Sequence, residues 1–370
     1  MSRPRCAFVL EQSLGHVAHG QNLEAALAGR PDLEATVIRV DFESGSRLQP
    51  WPGLHSWSVR ASWTARSALR RRLADGPLDA VLIHTQVAAL LAAGLMRRVP
   101  TVVSLDATPL NFDSQGEAYG HRRQVELVER LKRAVNRRAL LGAQALVTWC
   151  EWARDSLVGD YGIPDGRVHV VHPGVDQALF RPAERRRSGP PRLLFVGGDF
   201  ERKGGGDLLE AVAGLDEPFE LHLVTGAPPW DESGGELERP GVHVHTSLRP
   251  RSAELVELYR QADVFVLPSR GDCFPQVVAE AMACGLPVVA SDVGAVSEMV
   301  RDGFNGCLVP PRSPRSLRAV LRRLLREPHL RHALGARSLE LARSRHDARR
   351  NCNALFDLML DAAGTRRRSG

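Results

Sequence analysis

Two carboxylates and one lysine are the residues best placed to do chemistry. Asp272 and Glu280 bracket the elbow Cys273-Phe274-Pro275-Gln276, and Lys203 stands between Gly197-Gly198 and Gly204-Gly205. Carboxylates are acceptor-only groups, and two of them facing vicinal hydroxyls are a common way to hold a sugar or a ribose. An ammonium ahead of a helix start adds a point charge to unpaired amides and so suits a diphosphate. Lys132 and Lys203 are the only lysines among 49 basic residues. A lysine kept in so arginine-rich a chain points mildly to a specific role, although an exposed loop lysine is the plainer alternative.

These residues need elements to position them. Residues 262–311 read as strand, loop, helix, strand, loop, helix, with polar residues gathered at the junctions. Val264–Leu267 is a short apolar run of the kind buried in parallel sheets, and a helix follows over 276–283. Pro275 sits at its start, where a missing N–H costs nothing, and Gly285 supplies the stop. A second strand over 286–290 and a helix after Gly294 complete the segment. Loop amides and the first N–H groups of the 276–283 helix converge on one point, backed by the helix dipole. Glu280 could be a solvated helix residue instead. Its neighbours Val277, Val278, Ala281 and Met282 make that helix mostly buried, and a carboxylate there needs a partner.

The segment Asp272-Cys-Phe-Pro-Gln-Val-Val-Ala-Glu280-Ala-Met-Ala-Cys-Gly-Leu-Pro-Val-Val-Ala290 resembles the donor-binding signature of family-four retaining glycosyltransferases, which have the GT-B fold. That signature is Glu, seven residues, Glu; the spacing is kept here, with Asp272 for the first Glu. Residues 294–310 resemble its continuation, with Ala295 for one glycine. The family's phosphate loop, Gly-Arg, four residues, Lys-Gly, is matched by 197–204 with Gly198 in the arginine position; Arg202 could supply the missing charge. The resemblance implies that Glu280 holds ribose hydroxyls. It gives Asp272 and the backbone of Cys273, Phe274 and Pro275 to the donor sugar, Gln276 to the donor more broadly, Arg202 and Lys203 to the diphosphate, and Leu248, with Arg249 beside it, to the nucleobase. Residues 161–182 resemble the family's passage between domains.

The first half reads as a similar α/β unit. A strand over 6–10 leads through Leu14 and Gly15-His16 to a helix over 16–29, the place where α/β domains commonly meet phosphates. His16 or His19 could touch donor phosphate or acceptor; capping and packing are equally open readings. Strands are expected over 35–42, 79–84 and 100–105, with a helix over 86–96. Asp106 ends the last of these strands, where the family carries a histidine facing the donor sugar. There it could accept a hydroxyl hydrogen bond or act as base, or simply cap a turn. Residues 107–120 read as an acceptor-side loop. Residues 44–66, with Trp51 and Trp57, read as irregular. An arginine-rich helix over 59–73 is expected to pack through Trp63, Leu69 and Leu73, with membrane or acceptor contact as the alternative. The helix over 121–141 is expected to bury Leu127, Val128, Leu131, Val135 and Ala139. In the second half, strands are expected over 192–196, 219–224 and 242–245, helices over 207–213 and 252–259, and a surface loop over 227–240.

At 370 residues the chain suits two domains. Apolar content of 43% and charged content of 25% are those of a globular protein. No apolar run reaches membrane-spanning length, the start lacks a signal-peptide core, and six scattered cysteines suggest neither disulfides nor a zinc site. A cytoplasmic protein is expected, with peripheral membrane contact open. A net charge of +6, spread over helices without a recognition motif, argues against nucleic acid.

The expectation is therefore an α/β protein of GT-B type, two Rossmann-like domains facing a cleft. The boundaries are 1–182 (acceptor side), 183–345 (donor) and 346–370 (a helix crossing back, then a basic, irregular tail), with a polar linker over 183–189. Catalytic roles fall to Asp106, Lys203 and Asp272. Donor contacts fall to Gly15, His16, Arg202, Lys203, Leu248, Asp272, Cys273, Phe274, Pro275, Gln276 and Glu280. No cofactor and no metal are expected, since no Asp-x-Asp pair is present. A nucleotide-sugar epimerase and a non-catalytic sugar-nucleotide-binding protein are the alternatives.

Overall fold

The computed structural model describes residues 3–13, 15–41, 57–120, 125–184, 189–226 and 240–369; of Trp57 and of 365–369 only the backbone is described. The sequence readings at Leu14, over 42–56 with Trp51, over 121–124, over most of the 183–189 linker and over 227–239 lie outside these residues. The described residues fall into two compact units. One lies within Met1–Ser114, Arg122–Gly174 and Ala348–Gly370, the other within Gln115–His121 and Val175–Asp347.

The first unit is built on six parallel strands, β1 (Arg5–Glu11), β2 (Glu34–Val40), β3 (Ala80–His84), β4 (Thr101–Leu105), β5 (Ala145–Thr148) and β6 (Val168–Val170), in the order β2-β1-β3-β4-β5-β6. Strands β3, β4 and β5 are buried throughout, so they read as continuous apolar runs rather than alternating ones. The helix Ala348–Ser369 packs on one sheet face, where Phe356 meets Phe8 edge-on at 5.4 Å. Its backbone stays helical through the stretch expected to be an irregular tail.

Three other expectations fail, the last of them only in part. The 86–96 helix is broken into Gln86–Ala89 and Ala93–Met96. Residues 107–120 are not an open loop: they hold the helix Pro109–Ser114 and a 3-10 turn, Gly116–Tyr119. The helix Trp57–Ala74 packs as expected through Leu69 and Leu73, together with Ala61 and Ala65, but Trp63 stays 47% exposed. Small residues, not the tryptophan, make that contact because the helix crosses close to Gln86–Ala89, where Ser62 Oγ donates to the Ala88 carbonyl.

A larger difference concerns the helix Glu126–Gly142. Its periodic apolar residues face solvent: Leu127 is 78% exposed, Leu131 65% and Val135 41%, and burial begins only at Ala139 and Leu140. Periodicity marks an apolar stripe but not what covers it.

The second unit repeats the plan with β7 (Arg192–Val196), β8 (Glu220–Val224), β9 (Val242–His245), β10 (Val264–Leu267), β11 (Val288–Ser291) and β12 (Gly306–Val309), all parallel, in the order β12-β11-β10-β7-β8-β9. Strand β11 starts at Val288, later than the expected 286, because Pro287 has no N–H for the ladder and gives only its carbonyl, to Phe265 N. The expected helices of this unit occur as Gly205–Val212, Ala253–Gln261 and Gln276–Ala283.

Each sheet has a switch point where the strand order reverses, between β1 and β3 in one unit and between β7 and β10 in the other. Connections from adjacent strands leave in opposite directions there and open a crevice at the carboxyl ends.

Candidate functional site

In the second unit the switch point brings together the loops after β7 and β10. Gly204 has φ +77°, and a Cβ there would lie 1.9 Å from the Pro268 carbonyl oxygen. Glycine at 204 therefore lets the two loops touch, with Arg270 N bonded to the Arg202 carbonyl at 2.8 Å. A Cβ at Gly197 would collide with the Lys203 stem at 2.8 Å, so that glycine is the groove along which Lys203 runs. The loops are also clamped electrostatically, as Arg270 forks onto Asp207 with bonds of 2.8 and 3.1 Å.

Lys203 Nζ donates to Asp272 Oδ2, which also accepts from Ser269 Oγ at 3.3 Å. Asp272 is 5% exposed and the Lys203 side chain 13%, so the pair is largely removed from water. Arg202 turns elsewhere: its guanidinium bonds Asp199 at 3.1 Å and the Gly271 carbonyl at 3.1 Å, and lies 4.6 Å over the Tyr119 ring. It fills the gap at Gly198 only by exchanging these partners.

Cys273, Phe274, Pro275 and Gln276 are buried at the start of the Gln276–Ala283 helix. The Gln276 side-chain Nε2, at the first residue of that helix, is buried with no partner. Gly294, φ +54°, packs its backbone on the Asp272 loop, and a Cβ there would sit 2.0 Å from the Asp272 carbonyl oxygen. Gly294→Ala is therefore expected to destabilise the chain by about 2 kcal/mol or more, from the left-handed backbone and the overlap together. A thermal unfolding midpoint equal to wild type would contradict this placement of the loop.

Glu280, 8% exposed, accepts from Tyr259 Oη at 2.8 Å. Burial pushes its carboxyl up to about 7, against the lowering effects of the Tyr259 hydrogen bond and the Arg251 charge. Tyr259, itself fully buried, is a partner the sequence reading missed, although an aromatic hydroxyl at 259 in an apolar helix face was its visible signal. Leu248 is half-buried and Arg249 exposed in the turn after β9.

In the first unit, the switch point gathers a different set. His16 begins the helix His16–Leu27 and lies 3.9 Å, Nε2 to Oδ2, from Asp106 at the end of β4. Gly15, the residue before it, has φ −64° and open space where a Cβ would go, so its backbone does not require glycine. His84 ends β3 and stacks on Trp149 with centroids 5.5 Å apart; His16 and His19 contact both rings. The ring nitrogens of His19 and His84 are buried without partners. Desolvation, reinforced by the neighbouring histidines, holds both well toward neutral, His19 down to about 3. Glu11 at the end of β1 accepts from the Ser13 and Thr85 hydroxyls. His84, Trp149 and Glu11 went unnoticed in the sequence because each lies inside or next to an apolar run that reads as strand.

Two doubly wound parallel sheets, each with polar groups at its switch point, define the GT-B class, and the solved structures agree. Sucrose-phosphate synthase from Thermosynechococcus elongatus matches with TM-score 0.75 at 19% identity, over 96% of this chain and 98% of that one. Anabaena Alr3699/HepE, in complex with UDP-glucose, matches with TM-score 0.68 at 18% identity, over 96% and 98%. Family models match residues 14–179 as glycosyltransferase family 4 and 190–327 as glycosyl transferases group 1. Among curated relatives, the D-inositol 3-phosphate glycosyltransferase of Thermomonospora curvata is 38% identical over 235 residues, 55% of this chain and 54% of that protein. That of Geodermatophilus obscurus is 41% identical over 208 residues, 49% and 45%. The chain thus spans about half the length of the curated relatives it matches. It belongs to the family-four glycosyltransferases.

Proposed function

We propose that the chain moves a hexose-type sugar from a nucleoside-diphosphate sugar to a hydroxyl acceptor, with retention of configuration and without a metal at the reacting centre. The observation that carries this reading is the Lys203–Asp272 pair at the switch point of the second sheet, flanked by the starts of the Gly205–Val212 and Gln276–Ala283 helices. A departing diphosphate gathers negative charge, and a fixed ammonium with helix amides stabilises charge that develops. Lys203 would leave Asp272 for the phosphate and so free the carboxylate to accept sugar hydroxyls. Glu280 takes the ribose diol and Leu248 the base edge. Asp106 is the catalytic candidate of the first unit, and Gly15 and His16 are further donor contacts.

The test is a thermal-shift and hydrolysis panel of nucleoside-diphosphate sugars in EDTA, on wild type, Glu280→Ala and Lys203→Ala. UDP-glucose goes first, since HepE was solved in complex with it. A donor that stabilises wild type alone and is slowly hydrolysed supports the reading, and no binding by any donor defeats it. Release of an epimer without acceptor would identify an epimerase. Binding without turnover across an acceptor panel would identify a carrier or partner protein.

Peripheral membrane contact belongs to the same proposal. Five of the six exposed large hydrophobic residues among those described lie within 125–135, interleaved with Arg130, Lys132 and Arg133. A basic helix with an apolar stripe suits an anionic lipid surface. No helix among the described residues is long and apolar enough to cross a membrane. Flotation with anionic vesicles is expected to carry wild type and to lose Leu127→Glu/Leu131→Glu; equal flotation of both would remove the helix from that role.

A further inference from the structure

The second sheet carries, on its β8–β9 edge, side chains for which sugar transfer has no use. Strand alternation puts Glu220 and His222 on one face of β8, and the register sets His222 opposite His243 on β9. The rings of His222 and His243 stack at 4.8 Å, and those of His222 and His245 at 5.3 Å. His222 is only 8% exposed, and its two nitrogens differ. Nδ1 lies 3.0 Å from His245 Nε2, whereas Nε2 has no hydrogen-bond partner and faces Glu220 Oε2 at 3.8 Å. A buried nitrogen left unpaired in this way is costly, and a bound cation would remove that cost. One ligand atom from each of Glu220, His222 and His243 lies within 4.8 Å of the others.

We propose that Glu220, His222 and His243 bind a divalent transition-metal ion of zinc type. Two imidazoles and a carboxylate are a donor set for Zn²⁺, whereas calcium or magnesium would require more oxygens. His222 ligates through Nε2 while its Nδ1–H donates to His245, the outer partner that sets tautomer and ring angle. Arg192 donates to Glu220 Oε2 from Nε at 3.0 Å and Nη2 at 2.9 Å, and is itself held by Gln261 at 2.6 Å. The carboxylate therefore arrives oriented, but shares its charge with a guanidinium, which weakens the site relative to an unshared ligand. Water completes the coordination. The ligands stand on strand positions rather than on the loops after β7 and β10, so the ion acts as a staple. It ties β9, which among the described residues is paired on one side only, to β8.

The experiment uses the full chain stripped with EDTA. Calorimetric titration with Zn²⁺ is expected to show one equivalent bound, with a rise in the unfolding temperature, and Co²⁺ is expected to give the visible absorption of a low-coordinate N/O site. His243→Ala, at an exposed position that the fold tolerates, is expected to abolish all three signals. His329→Ala, an exposed histidine on the Pro328–Arg345 helix, is expected to keep them. Wild type that binds no Zn²⁺, or His243→Ala that binds it as wild type does, overturns the site.

Discussion

Lys203→Met is expected to lower kcat by about 10²–10³-fold, the range found when a fixed group stabilising developing charge is removed. The donor KM should change less, because the diphosphate carries more charge while leaving than while bound. The same substitution strands Asp272, a carboxylate 5% exposed whose remaining partner is Ser269 at 3.3 Å. Removing one partner of a buried ion pair typically costs about 3–5 kcal/mol, so some loss of activity could follow from unfolding alone. The double variant Lys203→Met/Asp272→Asn, read against Asp272→Asn alone, separates the two effects, since it removes both charges together. Its unfolding midpoint is expected to return toward wild type while kcat stays low. Recovery of both stability and turnover in the double variant would show that Lys203 serves only to neutralise Asp272.

Lys203→Arg is not a rescue. The compact ammonium makes its contact with Asp272 Oδ2 at one point, whereas a planar fork spreads its donors over a wider front and places them differently. Retained turnover in that variant would mean the ammonium is not held at one point.

The second unit of the fold was legible in sequence because its signals are local. Glycine spacing around Lys203, the Pro275 helix start and the Gly285 stop depend on backbone chemistry over a few residues. Glu280 could be picked out because it interrupts an apolar helix face. Its partner could not, since Tyr259 lies 21 residues away on another helix and reaches it only when the helices pack. The first unit was harder to read for the same reason. His16, His84 and Trp149 converge from the start of a helix, the end of β3 and the residue after β5, and only the strand order makes them neighbours. The Glu126–Gly142 helix shows the opposite error: its period was right, and its burial was inferred where period says nothing.

Glu280→Gln is expected to change both the pH dependence of stability and the donor affinity. Burial holds the folded carboxyl at about 7, above its ordinary 4.5, so the native state binds the proton more tightly than the unfolded chain. Stability from this group is therefore complete below about pH 4.5 and is lost as pH rises through about 7. Two to three pKa units correspond to a loss on the order of 3 kcal/mol. Glutamine keeps the acceptor for Tyr259 Oη without the buried charge, so the variant should be the more stable protein at about pH 8 and show no such decline. Donor binding moves the other way. Ribose hydroxyls bond more strongly to a carboxylate than to an amide, and a hydrogen bond to a charged group is worth about 1.5–3 kcal/mol. Wild-type KM for the donor should fall as pH rises through about 7 and then level, whereas the variant should be flat and weaker by roughly ten- to hundred-fold. A variant that is stabilised at high pH but binds donor as wild type does would leave Glu280 as a buried acid held by Tyr259, and would move the ribose to another acceptor.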